Sequence, residues 1–405
     1  MFLSKSKTKL LLALDVNASS VRAVVFKARK NGKPEIIRIF KNTAAILPEA
    51  SFPVLLKKIK RNLAEIFKEV RKSALSFSVA SRYLNSAKID GVFVSLSSPW
   101  YFAQPKIIGI KKQEDFELTE EILNQQLEMG IRSVKEKLGE NFYISKDEFT
   151  VLESCFFKSL LNGYRVSDLK NKKIKTAELY AYISVALLDL IKEIKRMAGE
   201  NLDVDNVHFH SSSFILFEKM RETFGREESF LIIDVGEEIT ETMIVKNGFI
   251  KEISSFSKGG NFIVRRMASS LKIAPEEASS YLKMYNRNEL IEDLKLKVEN
   301  LLKEAFFEWK KSLKEILDNF YRFEGPLPER IFVFSAAPFP ERFAAAASFS
   351  ELSDIFAGGV PPAVSAFMPA AFGNEFLKES AFKDQKEIVV SFLTLFFNRH
   401  VWQTS

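Results

Sequence analysis

Two aspartates stand at the ends of apolar runs, each followed by a short turn of small and polar residues. The first is Asp15, in Leu14-Asp15-Val16-Asn17-Ala18-Ser19-Ser20. The second is Asp234, in Ile233-Asp234-Val235-Gly236-Glu237-Glu238-Ile239-Thr240. A tight hairpin after such an aspartate presents backbone N–H groups that can hold phosphate oxygens, while the carboxylate can hold a hydrated Mg²⁺. The hydroxyls of Ser19, Ser20 and Thr240 add further hydrogen bonds. A single turn of this kind is common and says little. The paired occurrence, each preceded by one strand and followed by two, is more specific.

The elements that must position these residues follow from periodicity. Residues 10–16 and 21–27 are apolar, β-branched runs around Asn17–Ser20 and read as a hairpin, with a third strand at 35–40 after the Asn31-Gly32 turn. Helical spacing covers 53–76 and 119–138. Gly91–Leu96 reads as a buried strand, 149–157 as another, and 175–198 as a long helix. The pattern then restarts with strands at 229–234, 242–246 and 249–253, a helical block at 275–323, a strand at 331–335 and an alanine-rich helix at 343–356. Both halves open as strand, Asp, small turn, strand, turn, strand. The class is α/β with a weak internal repeat.

The 405 residues are 46% hydrophobic and 27% charged, an ordinary globular balance that excludes a disordered chain. The net charge of +7 fits a solvated surface, with attraction to an anionic membrane surface as the sharper reading. No basic motif interleaved with aromatics points to nucleic acid. The lone cysteine, Cys155, sits among apolar neighbours and reads as a buried thiol in a reducing cytoplasm. His208 and His210 alternate along a strand, and a structural role outweighs a metal site. Residues 10–14 read as a first buried strand, not a secretory signal, and no apolar run is long enough to span a bilayer. The C-terminal segment 387–402 has a narrow polar stripe through Glu387, Ser391, Thr394 and Asn398, with Phe392, Phe396, Phe397 and Trp402 off it. It reads either as an interfacial amphipathic helix or as an element packed on the body.

At this point a resemblance carries the argument further. Residues 10–25 resemble the first phosphate motif of the actin-like superfamily, and 229–260 the second, including Gly259-Gly260 before a helix. Ala274-Pro275-Glu276-Glu277-Ala278 and Tyr281-Leu282-Lys283 resemble the segment that follows in the FtsA and PilM scaffold families. Pro361-Pro362 and Ala366–Gly373 resemble their closing segment. The resemblance implies duplicated, ribonuclease H-like actin domains around a nucleotide cleft, with a small inserted α+β subdomain of the SHS2 type. It divides the chain into a first subdomain (1–85 and 166–205), an insert (86–165), a second subdomain (206–270 and 326–373), a helical subdomain (271–325) and a linker with a tail (374–405).

The resemblance also implies ATP and Mg²⁺, with Asp15, Asn17, Ser19, Ser20, Arg22, Asp234, Gly236, Thr240, Gly259, Gly260 and Ser335 lining the site, and Asp15 and Asp234 on the metal. Several positions depart from the pattern. Asn17 and Ala18 stand where Gly and Ser or Thr are usual, and Arg22 where relatives place a lysine. Glu237 and Glu238 replace small residues, which repels a triphosphate. Ser335-Ala336-Ala337 replaces a glycine pair on the adenosine side. Together these point to weak ATP binding and negligible turnover. The first functional reading is an FtsA-type scaffold on the cytoplasmic face of the inner membrane. It would link division proteins such as an FtsZ-like filament to an anionic membrane surface, with self-association. The alternative is a PilM-type scaffold of type IV pilus assembly that binds the tail of a membrane protein. A small-molecule kinase ranks last, because its phosphate loops must be intact.

Overall fold

A strand that is buried on both faces must place an apolar residue at every position, and β1 (Thr8–Val16) does so from Leu10 to Leu14. In the computed structural model, which describes residues 8–43, 46, 51–80, 88–142, 145–166, 173–225, 228–335, 340–348, 350–367 and 388–402, β1 is the centre of a five-stranded sheet. It pairs antiparallel with β2 (Ser20–Arg29), which pairs antiparallel with β3 (Glu35–Thr43). On its other side β4 (Gly91–Leu96) runs parallel to β1, and β9 (Val207–Ser211) runs parallel to β4. The order is β3-β2-β1-β4-β9.

The second half repeats this plan. β10 (Phe230–Val235), β11 (Thr240–Lys246) and β12 (Phe249–Phe256) form the antiparallel meander. β13 (Arg330–Ser335) and β14 (Ala363–Ala366) add in parallel, giving the order β12-β11-β10-β13-β14. The fold is the duplicated actin-like α/β architecture. Period-two alternation divides the faces of β10. Phe230 and Ile232 join the core shared with the first half, whereas Leu231, Ile233 and Val235 face the helical unit. That unit is α5 (Gly260–Leu271), α6 (Pro275–Asn286) and α7 (Glu292–Glu324). Pro275 opens α6 at a position where its missing N–H is no loss. In α7 the stripe Val298, Leu302, Ala305, Trp309, Leu313, Ile316 and Phe320 keeps helical spacing and is buried. α1 (Phe52–Ala80) covers the first sheet in the same way with Leu55, Ile59, Leu63, Ile66, Phe67 and Val70.

A separate four-stranded antiparallel sheet joins β5 (Tyr101–Glu117), β6 (Phe149–Leu161), β7 (Tyr164–Arg165) and β8 (Lys173–Leu187) in the order β5-β8-β6-β7, with α2 (Glu120–Phe142) packed on it. Two sequence expectations change here. Gly91–Leu96 belongs to the first main sheet, so the separate sheet does not span 86–165. Its central strand β8 lies within the stretch read as a helix at 175–198, and the helix α3 (Leu188–Leu202) begins only afterwards. The physical cause is that residues 179–187 are all buried between β5 and β6. Such a run satisfies helical spacing and buried-strand spacing alike, and its Tyr180, Tyr182, Ile183 and Val185 are good strand formers.

The last described element, α9 (Ile388–His400), is not an interfacial anchor. From Ser391 to Asn398 every residue is buried. The helix lies on β1, β2 and α4 (Ser212–Phe224), and Phe392 reaches Phe334 and Phe367 of the second half. The polar stripe faces protein: Asn398 Oδ1 accepts from the Arg29 N–H at 2.8 Å, and its Nδ2 donates to the Gly32 carbonyl at 2.9 Å. Trp402 is half-buried, with Lys9 over its ring. A helix apolar around most of its circumference gains more from a protein core than from a membrane surface that covers one side only. The linker lysines at 378, 383 and 386, and Glu387, lie outside the described residues.

Candidate functional site: the cleft between two hairpins

The two hairpins face each other across the junction of the halves. In the first, the register sets Asp15 opposite Arg22. Asp15 is buried, and its Oδ2 accepts from Arg22 Nη1 at 2.9 Å and Asn17 Nδ2 at 2.6 Å, leaving Oδ1 without a partner among the described residues. Burial raises the Asp15 carboxyl above its ordinary range, opposed by Arg22. The turn is braced from its own half: Asn17 N–H donates to the Ser20 carbonyl, Trp100 Nε1 to the Asn17 carbonyl at 2.7 Å and Asn62 Nδ2 to the Ser19 carbonyl at 3.1 Å.

In the second hairpin the register sets Asp234 opposite Glu241. Asp234 keeps a little surface of its own but is closely surrounded. Burial first, then the charges of Glu241 and Asp15, push it up to about 8. Burial also raises Glu241, which accepts from Ser98 Oγ at 2.7 Å and from the Tyr101 hydroxyl. Gly236 is required by close approach, because a Cβ there would lie 2.8 Å from the Ile239 carbonyl oxygen.

Gly259 and Gly260 open α5, as the sequence implied, but their N–H groups are taken. Gly259 N–H donates to Glu238, Gly260 N–H to Gly236 and Asn261 N–H to Glu237, all at carbonyl oxygens within 3.0 Å. A Cβ on Gly259 would stand 2.5 Å from the Gly236 oxygen. These glycines let the helix start press on the hairpin, and the donors point at protein. Thr240 is likewise structural: its hydroxyl donates to the Lys258 carbonyl and accepts from Trp309 Nε1 at 3.0 Å. Ser335 closes β13 in register with Val235 and is buried. Residues 336–339, which carry the alanines of the adenosine-side motif, lie outside the described residues.

The acids of the second turn have separate partners. Glu238 pairs with Arg265 at 2.7 Å and with Asn261. Glu237 crosses the cleft. Its Oε2 accepts from the Ser19 N–H at 2.9 Å and the Ser19 hydroxyl at 2.7 Å, and its Oε1 accepts from the Ser20 hydroxyl, with Arg22 Nη2 at 4.0 Å. Beside it, Asn17, Ser95, Asp234, Gly236, Phe334 and, from α9, Phe392 and Leu393 enclose about 30 Å³ of free space. That is room for about one water.

Among the described residues, this arrangement does not fit a nucleotide on the phosphate side. The donors of the first turn hold Glu237, α9 lines the adjoining space through Phe392 and Leu393, and the about 30 Å³ beside them is too small for a Mg²⁺ ion with its octahedral shell. Charge adds to the mismatch, since Asp15 and Glu241 both act on Asp234 and only Arg22 opposes them there. The cleft brings together Asp15, Asn17, Ser19, Ser20, Arg22, Asp234 and Gly236, but it keeps Thr240, Gly259 and Gly260 on structural duty. Sequence reasoning missed Asn62, Ser98, Trp100, Tyr101, Glu241 and Asn261. Glu237 had shown as a departure, and the other half of its meaning lay in Ser19 and Ser20.

Outside the cleft, His208 stacks on Phe93 at 4.8 Å and His210 pairs with Glu153 at 3.1 Å. Burial pushes the Cys155 thiol up to about 12, which makes it a poor nucleophile. No helix among the described residues is long and apolar enough to cross a membrane.

No protein-family model and no curated protein matches the sequence. Among solved structures, a chain of the PilM-PilN type IV pilus biogenesis complex superposes with a TM-score of 0.59 at 14% identity, covering 95% of this chain and 97% of that one. The ethanolamine utilization protein EutJ from Carboxydothermus hydrogenoformans gives 0.48 at 11% identity, over 98% and 92% of the two chains. MreB 5 of Spiroplasma citri bound to AMPPNP gives 0.44 at 12%, over 98% and 100%. The first of these supports the fold over the whole length; the other two are too distant to carry an argument.

Proposed function

We propose that this chain is an actin-like scaffold of the PilM type. It works as a rigid body that binds the cytoplasmic tail of a membrane protein in pilus assembly, and not as an ATPase. The observation that carries this reading is the filled cleft: both halves are joined by side chains of the chain itself. A phosphoryl-transfer enzyme needs open phosphate donors and a positioned metal, and here those groups are engaged. The fold likeness over nearly the whole of both chains agrees with a scaffold of this type.

The division reading, an FtsA-type link to an FtsZ-like filament, is second. It relied on the C-terminal segment as a membrane anchor, and α9 is docked on the first sheet. In the preferred reading the protein reaches the inner face of the membrane through its partner. Calorimetric titration of the full chain with a synthetic tail peptide of a pilus-assembly membrane protein tests this. Micromolar binding that is indifferent to Mg-ATP is the expected result. No binding to that peptide, with capture of a division filament instead, reverses the order of the two readings.

A further inference from the structure

We propose that the cleft carries its own ligand: the Glu237 carboxylate sits on the first hairpin as a phosphate would, and α9 fills the space beside it, so the halves are latched together with no nucleotide. The chemistry of the seat supports this. One backbone N–H, two hydroxyls and a guanidinium converge on the two carboxylate oxygens. That donor set is suited to an anion and is stronger for a charged acceptor than for a neutral one. The anion comes from the facing half, out of the turn between β10 and β11, so satisfying the seat also ties the halves together. The seat is sheltered, with the Glu237 side chain 12% exposed and Arg22 3% exposed.

The neighbouring contacts are consistent with a permanent closure. Asn261 Nδ2 lies 3.3 Å from Ser19 Oγ, and Glu241 takes hydrogen bonds from Ser98 and Tyr101 across the same junction. Phe392 of α9 packs edge-on against Phe334 at 5.3 Å, next to Asp234 and Gly236. Glu237 is therefore not an eroded position but a replacement: a tethered carboxylate in place of a diffusible phosphate, at an effective concentration set by the fold and not by the solution. The latch is a property of the chain and is independent of which partner the scaffold holds.

The test uses the full chain, Glu237→Ala and Glu237→Gln, with inorganic phosphate and Mg-ATP as probes. Amide hydrogen exchange over residues 17–22 and thermal unfolding are read for each. The wild type is expected to be indifferent to millimolar phosphate and to Mg-ATP. Glu237→Ala is expected to exchange at least about tenfold faster at these amides, the loss of charge-assisted hydrogen bonds, and millimolar phosphate is expected to restore the protection. Glu237→Gln keeps an acceptor but not the charge and should fall between them; it carries the same phosphate test if the alanine variant does not fold. Unchanged exchange in both variants overturns the latch. So does loosening that phosphate does not reverse, since the seat is then not an anion site. Protection of the wild type by Mg-ATP overturns the claim that the seat is occupied. Partner capture is measured separately and does not enter any of these readings.

Discussion

The two hairpins occupy the same place in the two halves, with the same register, and carry opposite chemistry. Asp15 faces Arg22 across β1 and β2, whereas Asp234 faces Glu241 across β10 and β11. The first turn is Asn-Ala-Ser, rich in donors; the second places Glu237 and Glu238 at its tip. One hairpin is thus an anion receptor and the other an anion donor. Duplication supplied two copies of one backbone, and their side chains have become complementary to each other. A cleft that in a nucleotide-binding protein needs a third party is here closed by its own walls.

The largest effect expected is from the element that backs both hairpins. Ending the chain after residue 387 removes Phe392, Leu393, Leu395, Phe396, Phe397 and Val401 from the core. Each buried apolar side chain is worth about 1.5–3 kcal/mol. The sum far exceeds any single polar contact in the cleft. Differential scanning calorimetry should show a melting temperature lower by about 10 °C or more, or no cooperative transition. A truncated chain that melts like the full one would show that α9 does not hold the halves.

Next comes the charge asymmetry itself. Arg22→Ala leaves Asp15 buried without its cation and should lower stability by about 3–5 kcal/mol. Adding Asp15→Asn to that variant should recover part of the loss. In the second hairpin Glu241→Gln should change stability by no more than about 1 kcal/mol, because Ser98 and Tyr101 retain an oxygen acceptor. Urea unfolding of the variants compares the two sites directly. Equal effects at Arg22 and Glu241 would mean that the hairpins are not differentiated.

A smaller effect follows from Asp234. Its carboxyl in the folded chain is raised to about 8 from an ordinary 3.8. The folded state therefore keeps a proton that the unfolded chain releases. The stabilisation linked to this proton is whole below pH 3.8, declines as pH rises through the window to about 8, and is gone above it. Asp234→Asn carries no such proton, so it should be the more stable protein at pH 9 and lose that advantage as pH falls. Melting curves taken from pH 6 to 9 give the comparison. Parallel curves for the two proteins rule out a protonated Asp234. The docked α9 adds an opposite limb: burial lowers His400 below its ordinary 6.5, so its contribution is present above that value and is lost as pH falls below it.

The fold was legible because apolar runs, turn residues and the Asp-bearing repeat all pointed to the same architecture. The misreading of 175–198 came where a strand is buried on both sides and alternation vanishes. The site was legible only in part. Asp15, Ser19, Ser20 and Asp234 could be named because they lie beside a turn. That Glu237 would bind Ser19 and Ser20 could not be read, since the contact joins positions more than two hundred residues apart. The polar stripe of α9 was visible, but Ser391, Thr394 and Asn398 look the same in sequence whether they meet headgroups or the protein's own interior.

The smallest expected effect is the sharpest test of the comparison. Against the actin-like pattern, the first hairpin departs at Asn17 and Ala18, and these residues suggested that its own turn was weakened. In the structure the turn is intact: Asn17 N–H meets the Ser20 carbonyl, and the donors of Ser19 and Ser20 are in place and in use. Restoring the usual residues with Asn17→Gly and Ala18→Ser should therefore confer no measurable nucleotide binding, because the obstruction comes from the other half. The same pair combined with Glu237→Gly and removal of α9 should admit Mg-ATP, as read by fluorescence of a labelled analogue. If Asn17→Gly with Ala18→Ser binds nucleotide while Glu237 is present, the turn was the deficient part. The two hairpins would then differ by decay in one and not by complementarity between them.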